Sequence, residues 1–336
     1  MDDDRPRATV GDLGERGLIE RIAPRFGPPA TGEVWSGDDT AAFPSLEGEL
    51  LFTTDLMVEE VDFRLSYSSG FDVGWKLIAA NASDIAAMGG RPWRAVASVA
   101  LRPQTEVAFV DALAEGMATL GRDLGVGLVG GDFSAGRDIS ASVAMLGIAD
   151  DDGPVFRSGA RLGDALCVTG SLGGAAGGLL VLEEGIESAD SGDRQALVTA
   201  SQRPRPRVAE GRILAGYAHS MIDLSDGLAV DLGHLTKASG VGCEIELDAV
   251  PRHESLDWLR GRRARTDPVS LAVTGGEDFE LLMSLDDSDL DEVSARLEEL
   301  GTSLTRIGVV TDGPARIGNR DLDDWRAEGW EHLRNR

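Results

Sequence analysis

The amino-acid sequence predicts an α/β protein of two domains, and three features support this fold class. The chain has 336 residues, which is long for one hydrophobic core and suits two domains of ordinary size. Hydrophobic residues make up 42% of it, as in globular proteins. Both halves also repeat one pattern, in which a short apolar run leads to a glycine-rich or acidic turn and then to a helical segment.

A domain boundary is predicted where the sequence reads Asp-Asp-Asp-Gly-Pro, at residues 150–154. Such a run forms turns and linkers rather than helices or strands. We therefore expect one domain at residues 1–150 and another at residues 151–336. Residues 129–132 (Val-Gly-Gly-Asp) echo residues 274–277 (Thr-Gly-Gly-Glu), which favours two similar domains.

Each predicted element follows from its apolar spacing and its flanking residues. In the first half we expect strands at residues 49–55, 95–101, 126–132 and 139–148, and helices at residues 11–22, 74–88 and 106–124. In the second half we expect strands at residues 164–170, 220–223, 270–274, 280–284 and 305–310, and helices at residues 175–184, 228–238 and 288–300, with another helix that ends at Ala218.

The helix predicted at residues 74–88 carries polar side chains on an apolar surface. Asn81 and Asp84 lie on one stripe with Leu77 and Met88, and most of the remaining circumference is Ala or Ile. A buried carboxylate needs a partner, because burial without one is costly. One interpretation is that Asp84 caps a neighbouring loop. The recurrence of similar carboxylates along the chain favours a functional role instead.

The net charge of −26 argues against nucleic acid as a partner, because phosphates are repelled by an acidic protein. Lys76 and Lys237 are the only lysines among 32 basic residues. A GC-rich genome would explain the preference for Arg over Lys, and a salt-rich cytoplasm would explain the excess of acidic residues. No apolar run is long enough for a membrane span, and the first residues do not resemble a signal peptide. Cys167 and Cys243 form no disulfide framework, so we expect a cytoplasmic protein.

Six aspartates share one placement, at strand ends or on the buried helix. Any one of them is a common turn-former or N-cap, but six together favour a metal site. Carboxylates without His or Cys suit Mg²⁺ better than zinc. The sequence lacks a P-loop and the protein-kinase motifs, and its histidines have no metal-binding spacing. The six residues are Asp39, Asp55, Asp84, Asp132, Asp223 and Asp226.

Nine motifs, in order along residues 11–330, resemble those of the thiamine-monophosphate kinase family. The wider superfamily, which includes aminoimidazole ribonucleotide synthetase and selenophosphate synthetase, shares only some of them. The resemblance implies two α/β domains of the aminoimidazole ribonucleotide synthetase type, with an N-terminal sheet that forms a barrel in a homodimer. The motifs lie at residues 37–39, 53–55, 80–89, 129–132, 157–160, 168–170, 203–207, 222–228 and 275–280.

The resemblance implies ATP-dependent phosphorylation of thiamine monophosphate to thiamine diphosphate, by direct transfer of the γ-phosphoryl group with several Mg²⁺ ions. The acceptor is itself an ionised phosphate, so no side chain is needed as a catalytic acid or base. Residues are assigned motif by motif: Asp39, Thr53, Thr54, Asp55, Asp84, Asp132, Asp223 and Asp226 to Mg²⁺; Gly131, Asp132, Arg157 and Ser225 to ATP; Asp62, Glu277 and Trp330 to the thiamine side.

One motif departs from the family pattern. Residues 58–63 read Val-Glu-Glu-Val-Asp-Phe, where the family has Val-Glu-Gly-Val-His-Phe. Asp62 either faces the cationic thiamine rings or is a solvated loop residue. Trp330 either stacks on a substrate ring or packs on the C-terminal domain. Two other functions stay open: another ATP-using enzyme of the superfamily, and a non-catalytic dimer that binds Mg²⁺ and nucleotide.

Overall fold

The computed structural model describes residues 8–35, 40–44, 48–150, 153–187, 192–260 and 267–329. The chain divides into two compact units. Unit 1 is Met1–Asn81 with Pro92–Ile148, and unit 2 is Ala82–Arg91 with Ala149–Arg336. The domain boundary after residue 150 stays a prediction, and its linker lies partly outside the described residues. No helix among the residues described has the length and hydropathy of a membrane span.

Unit 1 contains a four-stranded sheet in the order β1-β4-β2-β3. Strand β1 runs antiparallel to β4, and β2 runs parallel to β3. The predicted strands and helices of this half are confirmed, with ends that differ by a few residues. The elements are α1 (Val10–Ile22), β1 (Leu50–Val58), α2 (Gly70–Ala87), β2 (Gly90–Leu101), α3 (Val107–Leu124), β3 (Gly127–Ala135) and β4 (Ser140–Ala149).

Helix α2 is buried on nearly its whole circumference, as its sequence predicts. Leu77, Ile78 and Asn81 are completely inaccessible to solvent. The helix ends before Gly89, which has φ = 71°, a conformation that glycine adopts at little cost. Packing on all sides therefore fixes the position of the polar stripe.

One face of the unit 1 sheet is exposed although it is apolar. Along β1 the side chains alternate, so that Leu51 and Met57 are buried while Leu50, Phe52 and Leu56 are 55%, 72% and 59% exposed. Exposed apolar patches are typical of surfaces that bind proteins, membranes or ligands.

Unit 2 contains a seven-stranded sheet in the order β11-β10-β7-β9-β5-β8-β6. Its central strands are buried on both faces: alternate residues of β5 belong to two different hydrophobic clusters, Leu166 and Val168 to one, Ala165 and Cys167 to the other. The elements are β5 (Ala165–Thr169), α4 (Gly174–Glu183), α5 (Gly192–Gln202), α6 (Val208–Leu214), β6 (Ser220–Asp223), α7 (Leu228–Ser239), β7 (Gly242–Ile245), α8 (Leu256–Leu259), α9 (Pro268–Thr274), β8 (Leu281–Leu285), α10 (Leu290–Glu298), β9 (Leu304–Thr311), β10 (Arg316–Ile317), β11 (Arg320–Asp321) and α11 (Leu322–Arg326).

The strand predicted at residues 270–274 is wrong, because this segment is helix α9. Asp267 precedes the helix and Pro268 occupies its first turn, where proline is well accommodated. The Thr274 hydroxyl donates to the Ser270 carbonyl at 2.8 Å, one helical turn earlier. Residues 129–132 therefore lie in a strand, whereas residues 274–277 begin at the end of a helix. The similarity of the two sequences does not reflect a shared local structure.

The loop after β1 holds a strained residue that offers a test of this part of the fold. Glu60 has φ = 67°, which costs a residue with a Cβ about 1–2 kcal/mol. We expect Glu60→Gly to raise the free energy of unfolding by about 0.5–1 kcal/mol, after allowing for the greater freedom of glycine in the unfolded chain. Denaturant unfolding measures this change.

Glu246→Gly is the matched control, because Glu246 has an ordinary φ of −81°. This control should lower the free energy of unfolding. If both variants lose stability equally, the strain assigned to Glu60 is absent.

Candidate active site

The acidic centre of unit 2 begins at the carboxyl end of β6. Asp223 is the last residue of that strand and is 2% exposed. The Ser83 hydroxyl donates a hydrogen bond of 2.7 Å to its carboxylate. Helix α6 packs closely against this end of α2, so closely that a Cβ on Gly211 would overlap the Ala86 carbonyl. The turn of α2 that carries Asp84 therefore lies beside Asp223.

Asp231 adds a third carboxylate to Asp223 and Asp226. It lies in the first turn of α7, where one of its oxygens accepts the backbone N–H groups of Ser225 (3.1 Å) and Asp226 (3.0 Å). Burial raises the pKa of Asp231 well above its usual value, and the charges of Asp223 and Asp226 raise it further. The three carboxylates thus repel one another, and a bound cation would relieve that repulsion.

His234 brings a nitrogen ligand to this centre. Each of Asp226, Asp231 and His234 offers one ligand atom, and these three atoms lie within 4.8 Å of one another. Burial lowers the pKa of His234, and the positive charge of Arg157 contributes next, so the imidazole is neutral at pH 7. Arg157 is therefore close to the same cluster. Neither Asp231 nor His234 is predicted as a site residue from the sequence, although their spacing of three puts them on one helix face.

Glu277 is joined to this centre through the backbone. Its N–H donates to the Ser225 carbonyl at 2.8 Å. Glu277 and Phe279 have φ values of 65° and 50°, in the left-handed region that residues with a Cβ rarely adopt. Such strain persists only where the surroundings impose it, and it concentrates at functional sites.

Two buried carboxylates anchor this strained loop. Asp278 accepts the backbone N–H groups of Gly173 (2.6 Å) and Ala175 (2.9 Å) at the start of α4. Glu280 forms a two-pronged ion pair with Arg207, at 2.7 and 2.6 Å, and also accepts the Thr169 hydroxyl. Burial raises the pKa of Asp278 to about 7. Strained residues therefore alternate with residues held by long-range contacts, and the spacing of residues in the sequence does not reveal these contacts.

In unit 1, the predicted site residues lie on opposite edges of the sheet. Thr53, Thr54 and Asp55 are on edge strand β1, whereas Gly131 and Asp132 are on edge strand β3. Three strand spacings, or about 14 Å, separate these edges. Within one chain the sheet does not bring Asp55 and Asp132 together.

An apolar cavity of about 560 Å³ adjoins the β3 residues. Gly131 and Asp132 contribute to its wall. Its volume lies within the range of small-molecule sites, which are largely apolar with a few polar groups. The other walls include Ile22, Phe26, Trp35, Met117 and Leu128.

Asp62 has a local role that neither sequence-based alternative included. Its carboxylate accepts the backbone N–H of Val58 at 2.7 Å, which closes the turn after β1. Its contact with substrate stays a prediction. Asp39 and Trp330 lie outside the described residues.

Two family models match the chain. The N-terminal domain of AIR synthase related protein matches residues 37–149, and the C-terminal domain of AIR synthase related protein matches residues 161–318. These ranges cover more than half of the chain, and the chain belongs to this family of two-domain proteins.

Several proteins of this family that are at least 30% identical to the chain are thiamine-monophosphate kinases. A thiamine-monophosphate kinase of Mycobacterium tuberculosis (strain CDC 1551 / Oshkosh) is 35% identical over 96% of this chain and 92% of the relative. The crystal structure of thiamine-monophosphate kinase from Stenotrophomonas maltophilia K279a matches with a TM-score of 0.79 and 32% identity, over 90% of this chain and 95% of that one. The structure of AaThiL complexed with AMPPCP and TMP matches with a TM-score of 0.75 and 31% identity, over 95% and 97%. The chain thus belongs to the thiamine-monophosphate kinases, which confirms the resemblance and the fold class.

The pKa of Asp278 predicts a pH-dependent stability. The folded state holds this proton up to about pH 7, whereas the unfolded chain loses it near its ordinary value of 3.8. The contribution of Asp278 to the free energy of unfolding therefore falls as pH rises from about 4 to about 7. We expect the stability difference between wild type and Asp278→Asn to shrink from pH 5 to pH 8, as measured by urea unfolding.

Asp286→Asn is the control for this measurement. The pKa of Asp286 is lowered by hydrogen bonds from Ser288, so its titration is complete below pH 5. Its stability difference from wild type should stay constant over the same range. A constant difference for Asp278→Asn as well would show that Asp278 is ionised in the folded protein throughout.

Proposed function

We propose that this kinase transfers the γ-phosphoryl group of ATP directly to the phosphate of thiamine monophosphate and forms thiamine diphosphate. The observation that carries the proposal is the crowding of Asp223, Asp226 and Asp231 in a chain similar over 96% of its length to a thiamine-monophosphate kinase. Joining two anionic phosphates requires an enzyme to gather positive charge. An acidic centre does so by holding cations.

The donor atoms at the proposed metal positions suit Mg²⁺. They are carboxylate and hydroxyl oxygens, which this hard cation prefers. Bound Mg²⁺ would neutralise phosphate charge and stabilise the transferring group. At Asp226 the neighbouring His234 adds a nitrogen, a ligand that suits transition metals better than it suits Mg²⁺. The proposed holders are Asp39, Thr53, Thr54, Asp55 and Asp132 in the first half of the chain, and Asp84, Asp223 and Asp226 in unit 2.

The remaining site residues bind and orient the two substrates. For ATP these are Gly131 and Asp132 in unit 1, and Arg157 and Ser225 in unit 2. The apolar cavity beside Gly131 and Asp132 has room for a nucleotide base. On the thiamine side the residues are Asp62, Glu277 and Trp330. The acceptor oxygen is already ionised, so the protein positions it and has no proton to remove.

We also propose that the protein acts as a homodimer. The exposed side chains of Leu50, Phe52 and Leu56 supply an apolar face for a second copy. Pairing two unit 1 sheets across a twofold axis would set β1 of one copy beside β3 of the other. Asp55 and Asp132, which one chain keeps apart, would then meet in a metal site shared by two copies.

Release of ADP in a coupled assay with ATP and Mg²⁺ tests the proposed reaction. We expect ADP release to depend on thiamine monophosphate, with thiamine diphosphate formed in equal amount. ADP release at the same rate without thiamine monophosphate would contradict the assignment. Nucleotide binding without any turnover would support a non-catalytic binding protein instead.

Asp84→Asn should lower kcat by about 100-fold or more, because a carboxylate that holds metal acts mainly on the transition state. Asp72→Asn on the same helix is the control. The Asp72 carboxylate caps α2 by accepting the Ser69 N–H at 3.1 Å, so this variant should lose stability and keep its kcat. Equal kcat in Asp84→Asn and wild type would leave Asp84 with a structural role only.

Light scattering tests the dimer. Wild type should have twice the mass of the chain at micromolar concentration. Phe52→Glu should reduce the mass to that of one chain, because it buries a charge in the proposed interface. A wild-type protein with the mass of one chain would contradict the dimer.

A further inference from the structure

The motif at residues 203–207 contains no residue that we assign to metal, ATP or thiamine, but its last arginine joins two elements of unit 2. Arg207 immediately precedes helix α6. Its guanidinium group donates to both carboxylate oxygens of Glu280, at 2.7 and 2.6 Å. Glu280 immediately precedes strand β8, so this ion pair connects the start of α6 to the start of β8.

The polar partners of Arg207 are buried and depend on its charge. Glu280, Glu210 and Thr302 all have little exposure to solvent. The guanidinium nitrogen that does not bond Glu280 donates to Glu210 at 3.4 Å and to the Thr302 hydroxyl at 3.2 Å. Removing one partner of a buried ion pair is strongly destabilising, because the other charge is then buried without compensation. The conformation of Glu280 therefore depends on Arg207.

The strained loop that ends at Glu280 is hydrogen-bonded to the acidic turn after β6. The Glu277 N–H donates to the Ser225 carbonyl at 2.8 Å, and the Phe279 N–H donates to the Leu224 carbonyl at 3.0 Å. The Leu224 N–H in turn donates to the Glu280 carbonyl at 2.7 Å. The position of Glu280 therefore influences both the acidic turn and the backbone of Glu277.

Backbone strain makes this loop depend on the contacts at its two sides. Glu277 and Phe279 have positive φ values, which persist only where the surroundings impose them. Asp278 holds the loop at the start of α4, and Glu280 holds it through Arg207. If the contact with Arg207 is removed, we expect the loop to relax toward ordinary φ values and to displace Glu277.

We propose that Arg207 is a positioning residue for the kinase reaction, because through Glu280 it holds the strained loop in the conformation that presents Glu277 to thiamine monophosphate. This inference rests on the proposed function, in which Glu277 lies on the thiamine side. The planar guanidinium group matches both oxygens of a carboxylate, so it fixes the direction of the Glu280 side chain as well as balancing its charge. A lysine would keep the charge and lose the paired contact.

Hydrogen exchange observes the loop directly and needs no substrate. In Arg207→Met the amides of Glu277 and Phe279 should exchange about tenfold faster than in wild type, because local opening of the loop becomes easier. Thr302→Val is the matched control, since it removes a buried hydroxyl that contacts Arg207 without bonding Glu280. This control should lose stability and keep the exchange rates of the two amides. Unchanged exchange in Arg207→Met, or equal acceleration in both variants, would overturn the proposal.

Steady-state kinetics test the link between the loop and the reaction. The KM for thiamine monophosphate should rise about tenfold in Arg207→Met and by less in Arg207→Lys, which keeps the charge. Thr302→Val should keep the wild-type KM, because a smaller fraction of folded enzyme lowers only the apparent kcat. Arg207→Lys also supplies the comparison if Arg207→Met does not fold.

A double variant shows whether Arg207 acts through Glu277. In Arg207→Met/Glu277→Gln the KM should be no higher than in Glu277→Gln alone, whereas independent residues would give additive effects. Additive effects, or an unchanged KM in both Arg207 variants, would overturn the positioning role. Absence of turnover with thiamine monophosphate in wild type would contradict the proposed function instead, and hydrogen exchange would then decide by itself whether Arg207 holds the loop.

Discussion

Repulsion between carboxylates is the constraint on which the rest of this structure depends. Burial raises the pKa of Asp231, and the charges of the nearby Asp223 and Asp226 raise it further. The fold supplies partial compensation through the Ser83 hydroxyl and the backbone N–H groups at the start of α7. A bound cation would supply the remainder, which would link the stability of this region to the reaction that we propose.

A second constraint is the strand order of unit 1. Edge strands expose unpaired backbone groups, and β1 also exposes a row of large apolar side chains. A second copy would cover both features. The same contact would join Asp55 to Asp132, so that the proposed dimer would complete the proposed metal site as well as bury apolar surface.

The sequence predicted elements whose signal is local. The apolar runs of β5 and the nearly all-apolar surface of α2 were correctly interpreted, because burial on every side leaves a continuous pattern. The strand prediction for the segment that forms α9 is wrong, since a short apolar run fits a strand or a helix equally well. Asp278 and Glu280 were not assigned roles, because their partners lie about a hundred and about seventy residues away, and spacing does not reveal such contacts.

The most direct test of this account is the activity of a mixed dimer. Chains carrying Asp55→Asn and Asp132→Asn, each with a different affinity tag, are produced together and the mixed dimer is purified through both tags. Each variant alone should be inactive. The mixed dimer should regain about half of the wild-type turnover, because one of its two sites then contains both carboxylates. A mixed dimer as inactive as either variant alone would contradict a site shared between two copies.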